Sequence, residues 1–278
     1  MMLTLTLALL AAVSGPDPDQ VPSYAEIALP TSLASEQGYQ QETEPRRERE
    51  RDSGPKFGLS FGIEGRYSFP FGYANRDVYA VDNPAGGVTL LFDGNLRWND
   101  MFSSGWGTSL IAEIITMQAG RGGSSSGGRG RGKFSAGGYI SFSQDQFSGQ
   151  HNSDGFGNSF SLDDMTMNTY LVGATMYNDL GEGMFMDGRF GIGAVHYSAV
   201  SADYNFLFTP PFRGEFFEDT WNFALEVHGG TGFRLGPLAF TLGLGLRMLM
   251  PPSPSGTVDI DSGILWTFDI TLGIEIGF

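Results

Sequence analysis

The sequence has no cysteine, and charged residues supply only 17% of its 278 positions. Without cysteine there is no disulfide scaffold, no thiolate metal site and no cysteine-linked lipid anchor. With only three histidines as well, metal chemistry has little to stand on, and neither a metal nor another cofactor is expected. The charge that is present is acidic, −15 at neutral pH, which argues against nucleic acid as a partner because phosphates call for a basic surface. The apolar run at the start, residues 1–13, is shorter than the roughly 20 residues a membrane-spanning helix needs. Glycine and phenylalanine, by contrast, are plentiful, with 41 and 23 residues. Glycine weakens helices and aromatic rings fit a pleated face, so this composition suits close-packed strands.

Three regions differ in texture. Residues 1–13 read MMLTLTLALLAAV, and Ala12 and Ser14 sit at small-residue positions. Residues 1–14 therefore have the form of a secretory signal peptide, although no Lys or Arg precedes the apolar run. Residues 15–55 hold Pro, Gln, Glu and Ser and a mixed-sign charge run over 44–52, with little to bury. They are expected to form a disordered periplasmic tail. The folded domain is then 56–278.

From Phe57 onward the chain alternates with period two. Phe57, Leu59, Phe61, Ile63 and Tyr67 oppose Gly58, Ser60, Gly62, Glu64 and Arg66. Successive side chains of a strand face opposite sides, so this is a strand with one apolar face. The pattern recurs in Val88–Trp98, in 221–233 and in 238–247, and it is cleanest from Ile264 to Phe278. Two features favour a membrane barrel over a soluble sandwich. The alternating runs are about 11 to 15 residues long, whereas soluble strands are mostly 5 or 6 and a tilted bilayer crossing needs about 9 to 11. The charges also fall on the small, glycine-rich face, where a barrel would place its lumen. The expected fold class is all-β, a transmembrane up-and-down antiparallel β-barrel of about eight strands.

Connection lengths suggest the topology. Outer-membrane barrels join strands by short periplasmic turns and long external loops. Short polar turns are read at 99–104, 178–183 and 234–237, and long connections at 70–85, 119–164, 198–220 and 251–262. Strands near 57–69, 86–98, 105–118, 165–178, 184–197, 221–234, 237–249 and 263–278 then alternate with both chain ends in the periplasm. This places 133–143, together with the glycine-rich 120–132, in a long external loop. The competing count is ten strands, with 134–143 and a partner in the wall.

The run Phe268-x-Ile270-x-Leu272-x-Ile274-x-Ile276-x-Phe278 resembles the closing strand of Gram-negative outer-membrane barrels. Region 57–278 as a whole resembles the small OmpA/OmpX-like barrel families. The resemblance implies a bacterial outer-membrane location and contact with outer-membrane lipids and lipopolysaccharide. It also implies that Phe278 serves as a recognition signal for the barrel-assembly machinery. Any ligand of the loops is left open.

Candidate chemistry lies in two places. The presumed lumen carries Glu64, Arg66, Asp93, Arg97, Glu113, Asp187, Arg189, Glu226, Arg247, Asp269 and Glu275. An eight-stranded barrel is barely wider than its own side chains, so these charges are expected to pair and fill it. His228, on the same face as Glu226, belongs with them. The alternative is a narrow, porin-like channel. Separately, His196-Tyr197-Ser198 resembles the His-x-Ser of the outer-membrane lipid A 3-O-deacylases, although Ala199 replaces that family's following Asn. The resemblance implies a Ser198 nucleophile, a His196 base and an orienting carboxylate from Glu215, Glu218 or Asp219, with Glu218 taken as the candidate. The leading expectation is a non-enzymatic envelope-structural or surface-contact protein. The channel and the acyl hydrolase are the alternatives.

Overall fold

In lipid, where no water can satisfy an open edge, an alternating sheet can satisfy every backbone hydrogen bond only if it closes on itself. That is the architecture found in the computed structural model. It describes residues 56–76, 79–83, 88–92, 96–117, 133–153, 157–207, 209–256 and 258–277. The signal-peptide and tail expectations for 1–55, and Asp93 and Phe278, lie outside the described residues.

The chain enters the barrel in β1 (Lys56–Phe71). At the far end it makes β2 (Tyr73–Asn75), β3 (Tyr79–Asn83), β4 (Val88–Phe92), β5 (Leu96–Arg97) and one helical turn, α1 (Trp98–Met101). It returns in β6 (Phe102–Met117) and rises again in β7 (Lys133–Gly149). The second far-end excursion holds β8 (His151–Ser153) and β9 (Ser159–Leu162), before β10 (Met165–Gly181) descends and β11 (Met184–Tyr197) rises. The third carries β12 (Val200–Asn205) and β13 (Phe212–Phe217) and leads into β14 (Thr220–Leu235). After β15 (Leu238–Leu249), the fourth carries β16 (Val258–Asp259), and β17 (Leu265–Gly277) closes the barrel against β1. The wall runs β1-β17-β15-β14-β11-β10-β7-β6, a closed ring of eight antiparallel strands.

The outer face is that of a transmembrane barrel. On β15, Leu238, Phe240, Leu242, Leu244 and Leu246 are exposed, while Ala239, Thr241, Gly243, Gly245 and Arg247 are buried. On β17 the outward residues run from Trp266 to Ile276, ten steps that rise about 25 Å at a tilt of about 40°. Such a belt has no stable place in water. Among the described residues no helix is long and apolar enough to cross a membrane, so the crossing is made by strands. Tight hairpins close the other end. At β14–β15, Gly236 takes φ +62 ahead of Pro237, the order a two-residue II′ turn requires.

The strand count agrees with the sequence reading, but one member of the set does not. Strands β4 and β5, which fall within the predicted strand 86–98, are not in the wall, and Lys133–Gly149 is. Leu96 and Trp98, from the end of that alternating run, are buried in a cap at the far end and do not face lipid: Leu96 is 6% exposed and Trp98 0%. In β7, Ala136 and Gly138 mute the outward pattern of Phe134, Ile140 and Phe142. The turn read at 99–104 therefore lies at the far end. Met117 pairs with Lys56 and Lys133 with Asp179, so β6 and β7 are linked at the tight-turn end and not at the far end.

The four far-end excursions fold together. Strands β13-β12-β9-β8 form one sheet and β16-β3-β4 another, and β2 pairs with β5. Their shared core includes Trp98, Met101, Phe160, Tyr204, Phe216 and Phe217, and it runs without a break into inward residues at the barrel mouth.

Candidate functional site

The inward half of the alternation decides what the lumen contains. Glycines on this face make room for large polar side chains. A Cβ at Gly243 would run into the His228 ring, and one at Gly191 into the Tyr139 hydroxyl. Three arginines occupy the space so provided.

Arg247 is fully buried. Its Nη1 pairs with Asp145 Oδ2 at 2.7 Å and its Nε with Asp269 Oδ2 at 2.8 Å. It also donates to Ser68 Oγ at 3.1 Å and Thr267 Oγ1 at 3.0 Å, so its whole donor fork is engaged. Arg189 Nη2 pairs with Glu64 Oε1 at 2.5 Å, and its Nε donates to His228 Nδ1 at 3.2 Å. His228 Nε2 meets Thr271 Oγ1 at 3.0 Å, which fits a neutral ring that accepts at Nδ1 and donates at Nε2. Asp187 lies 4.0 Å from Arg189 Nε and 3.7 Å from His228 Nδ1. Arg66 Nη1 reaches Glu226 at 3.4 Å and Asp269 at 3.8 Å. Glu113 accepts a short hydrogen bond from the Tyr177 hydroxyl, and Glu275 is buried nearer the tight-turn end.

The structure thus brings together Glu64, Arg66, Glu113, Asp187, Arg189, Glu226, Arg247, Asp269 and Glu275 inside the barrel. Arg97 is a correction: it is exposed at the far end, because its strand β5 pairs with β2 there and not with the wall. Asp145 is absent from the sequence-predicted lumen set for the reciprocal reason, since that reading places its strand in a loop. The alternation Ser141, Ser143, Asp145, Phe147 on the inward face of β7 was the signal available for it. Ile111 and Leu171, which depart from ideal alternation, do face inward and are buried.

Apolar residues flank the charged groups, as a continuous layer toward the far end and as a small cluster beside Glu275 toward the tight-turn end. Toward the far end lie Phe102, Phe147, Val195, Tyr197, Leu249 and Leu265, each fully buried and continuous with the cap core. Toward the tight-turn end Tyr177, Phe185 and Ala239 pack with Ile115, and the Arg234 guanidinium sits 5.2 Å above the Phe185 ring. Among the described residues no three His, Asp or Glu side chains are grouped to hold a metal ion.

The second candidate lies on the outer surface at the top of β11. His196 Nε2 is 2.8 Å from Asp219 Oδ1, and its ring packs on Trp221 at 4.8 Å. Trp221 in turn meets Tyr170 at 5.5 Å, and Tyr170 meets Phe142 at 5.0 Å, an aromatic row of the kind found at membrane interfaces. Ser198 Oγ accepts from the Thr166 backbone N–H at 3.1 Å, and among the described residues it makes no hydrogen bond to His196. Asp219, and not the predicted Glu218, lies beside His196; the Glu218 backbone N–H donates to the Ser253 carbonyl. An oriented imidazole is present, but a hydroxyl hydrogen-bonded to it is not.

No protein-family model matches the chain, and comparison with curated proteins finds no match. Among solved structures, the attachment invasion locus protein Ail of Yersinia pestis, in complex with the heparin analogue sucrose octasulfate, is similar at a TM-score of 0.35 and 15% identity. That match covers 80% of this chain and 99% of Ail. Neisserial surface protein A matches at 0.34 and 9%, over 78% of this chain and 97% of its own. The outer membrane protease OmpT from Escherichia coli matches at 0.34 and 9%, over 80% and 96%. Likenesses of this size leave the closed barrel itself as the ground for the fold, and they bring no function with them.

Proposed function

We propose that the chain is a bacterial outer-membrane barrel whose lumen is a structural plug and whose working surface is the folded cap at the external end. The observation that carries this reading is the layering of the interior: a buried ion-pair layer covered at the far end by an apolar layer that is continuous with the cap. Ions entering such a lumen would have to cross that apolar layer and displace paired charges, each step costing several kcal/mol. The tight turns and both chain ends then face the periplasm, and the cap faces outward. Export by the signal at 1–14, assembly through the closing strand that ends in Phe278, and contact with outer-membrane lipids and lipopolysaccharide belong to the same reading. The role is envelope-structural or surface-contact.

The test is single-channel recording in planar bilayers on protein first shown to fold by the difference in gel mobility between boiled and unboiled samples. A folded barrel with no discrete conductance steps is the expected result. Reproducible steps from the folded species would replace the plug with a narrow channel.

The His196–Asp219 contact favours a second reading, acyl hydrolysis of lipid A at the outer leaflet. It requires Ser198 to leave Thr166 and approach His196. Mass spectrometry of lipid A with and without the protein tests it, and deacylation that survives Ser198→Ala would remove Ser198 as the nucleophile.

A further inference from the structure

At the external end the described arginines differ in their company. Arg213 is bound by Asp203 and Asp163. Those two carboxylates hold its guanidinium above the ordinary arginine pKa, with the Asp203 hydrogen bond the largest cause. Arg76 and Arg97 have no such partner: among the described residues no carboxylate lies within ion-pair distance of either guanidinium. Asp100 accepts from the Arg97 backbone N–H, at 3.2 Å, and not from its side chain.

Both arginines instead share one ring. The Arg76 guanidinium lies 5.0 Å from the centre of Tyr73 and that of Arg97 5.3 Å from it. The backbone builds this arrangement. Gly72, at φ +103, turns the chain out of β1 directly after Phe71, and its carbonyl accepts from Trp98 N–H at 3.1 Å. Tyr73 is thereby paired with Arg97 across β2 and β5. A Cβ at Gly72 would press to 3.1 Å on the Ile264 carbonyl, so both the turn and the space favour glycine there. Two like charges on one ring lie within about one Debye length of each other, roughly 10 Å at 0.1 M salt, and they repel unless an anion sits with them. Stacking on the ring leaves the guanidinium N–H edges free, the geometry suited to a phosphate.

The location names the anion. Phe71 stacks on Trp266 at 6.4 Å, and directly below them Phe69 meets Phe268 at 6.4 Å, all on the outward face. Aromatic girdles of this kind mark the edge of the hydrocarbon, and the next layer outward holds the lipid headgroups. Tyr73, Arg76 and Arg97 are exposed immediately beyond that pair, in a chain that is otherwise strongly acidic. We infer that Arg76, Tyr73 and Arg97 form a binding site for a phosphate of outer-leaflet lipid A, whose acyl chains lie along the Phe69, Phe71, Trp266 and Phe268 rings. The inference rests on the outer-membrane reading above and assigns that barrel a specific lipid contact at the β1–β17 seam.

The test uses the full chain folded in detergent micelles, with folding verified by the gel-mobility shift. It is titrated with bis-phosphorylated lipid A and with dephosphorylated lipid A, and bound lipid is counted by native mass spectrometry. The wild type is expected to hold the phosphorylated lipid at least about tenfold more tightly. R76Q/R97Q should fold normally and lose that preference, with Tyr73→Leu in between. A folded wild type with no preference, or a folded double variant that keeps it, would overturn the site and leave the barrel reading intact. A chain that shows no mobility shift in detergent or lipid would sink the outer-membrane reading and the site together.

Discussion

Replacing Arg247 by methionine removes the cation that holds the largest number of lumen groups while keeping most of its length and apolar stem. Asp145 and Asp269, at 2.7 and 2.8 Å from its nitrogens, are then left buried at 0% and 1% exposure without that guanidinium. Ser68 and Thr267 each lose a donor as well. Removing one partner of a buried ion pair costs about 3–5 kcal/mol, because the remaining charge has neither water nor a counter-ion. Two stranded carboxylates put R247M at the upper part of that range, partly relieved for Asp269 because Arg66 lies 3.8 Å away. The assay is urea unfolding of the lipid-reconstituted barrel followed by tryptophan fluorescence, with the midpoint and slope compared. The slope should hold while the midpoint falls. R247M/D145N/D269N, which removes the stranded charges as well, should recover at least half of the loss. An R247M unfolding free energy within about 0.5 kcal/mol of wild type, or a triple variant no better than the single one, would refute the claim that this network holds the wall together.

Tyr177→Phe removes the donor to Glu113 and should cost about 1–3 kcal/mol in the same unfolding assay, because it leaves a buried acceptor unpaired. Leu244→Arg puts a charge in the middle of the lipid-facing row of β15 and should cost about 2–4 kcal/mol, whereas Arg in place of the terminal Leu238 should cost about 0–1. Gly236→Val forces a branched residue to φ +62 in the β14–β15 turn, and the yield of heat-modifiable barrel should fall while lumen variants of equal stability fold at normal yield.

The wall was legible wherever one face is uniformly large and the other uniformly small. Leu238 to Leu246 against Gly243, Gly245 and Arg247 admits one register, because slipping by a single residue would put Arg247 into lipid. Strand β7 was illegible because its outward positions include Ala136 and Gly138, so the pattern carries no amplitude over its first half. Residues 88–98 misled in the opposite direction. Their alternation is real, but alternation reports only that one face is buried or greasy, not whether lipid or protein covers it. One strand too many and one too few left the total at eight and the parity intact, so strand counting could not expose either error. The lumen charges were readable from the small face alone. Asp145, Arg97 and the cap core depended on knowing which segments form the wall.

The fate of 88–98 can be read directly from the four tryptophans. Trp106 is 71% exposed and Trp221 59% exposed on the outer face, and Trp266 lies beside Phe71 in the girdle. Trp98 is fully buried, with its Nε1 donating to the Gly263 carbonyl at 3.2 Å and its ring 5.8 Å from Phe217 in the cap. Were 86–98 a wall strand, Trp98 would share the outward face with Val88, Leu90 and Phe92 and would meet lipid. Single-tryptophan variants reconstituted with bromine-labelled acyl chains separate these cases, since bromine quenches only rings it touches. Trp106, Trp221 and Trp266 should be quenched strongly, most by labels placed near the headgroup end of the chains. Trp98 should be indifferent to label depth and shielded from aqueous iodide as well. Quenching of Trp98 equal to that of Trp221 would return 86–98 to the wall, displace β7 from it, and dissolve the upper apolar layer on which the closed lumen depends.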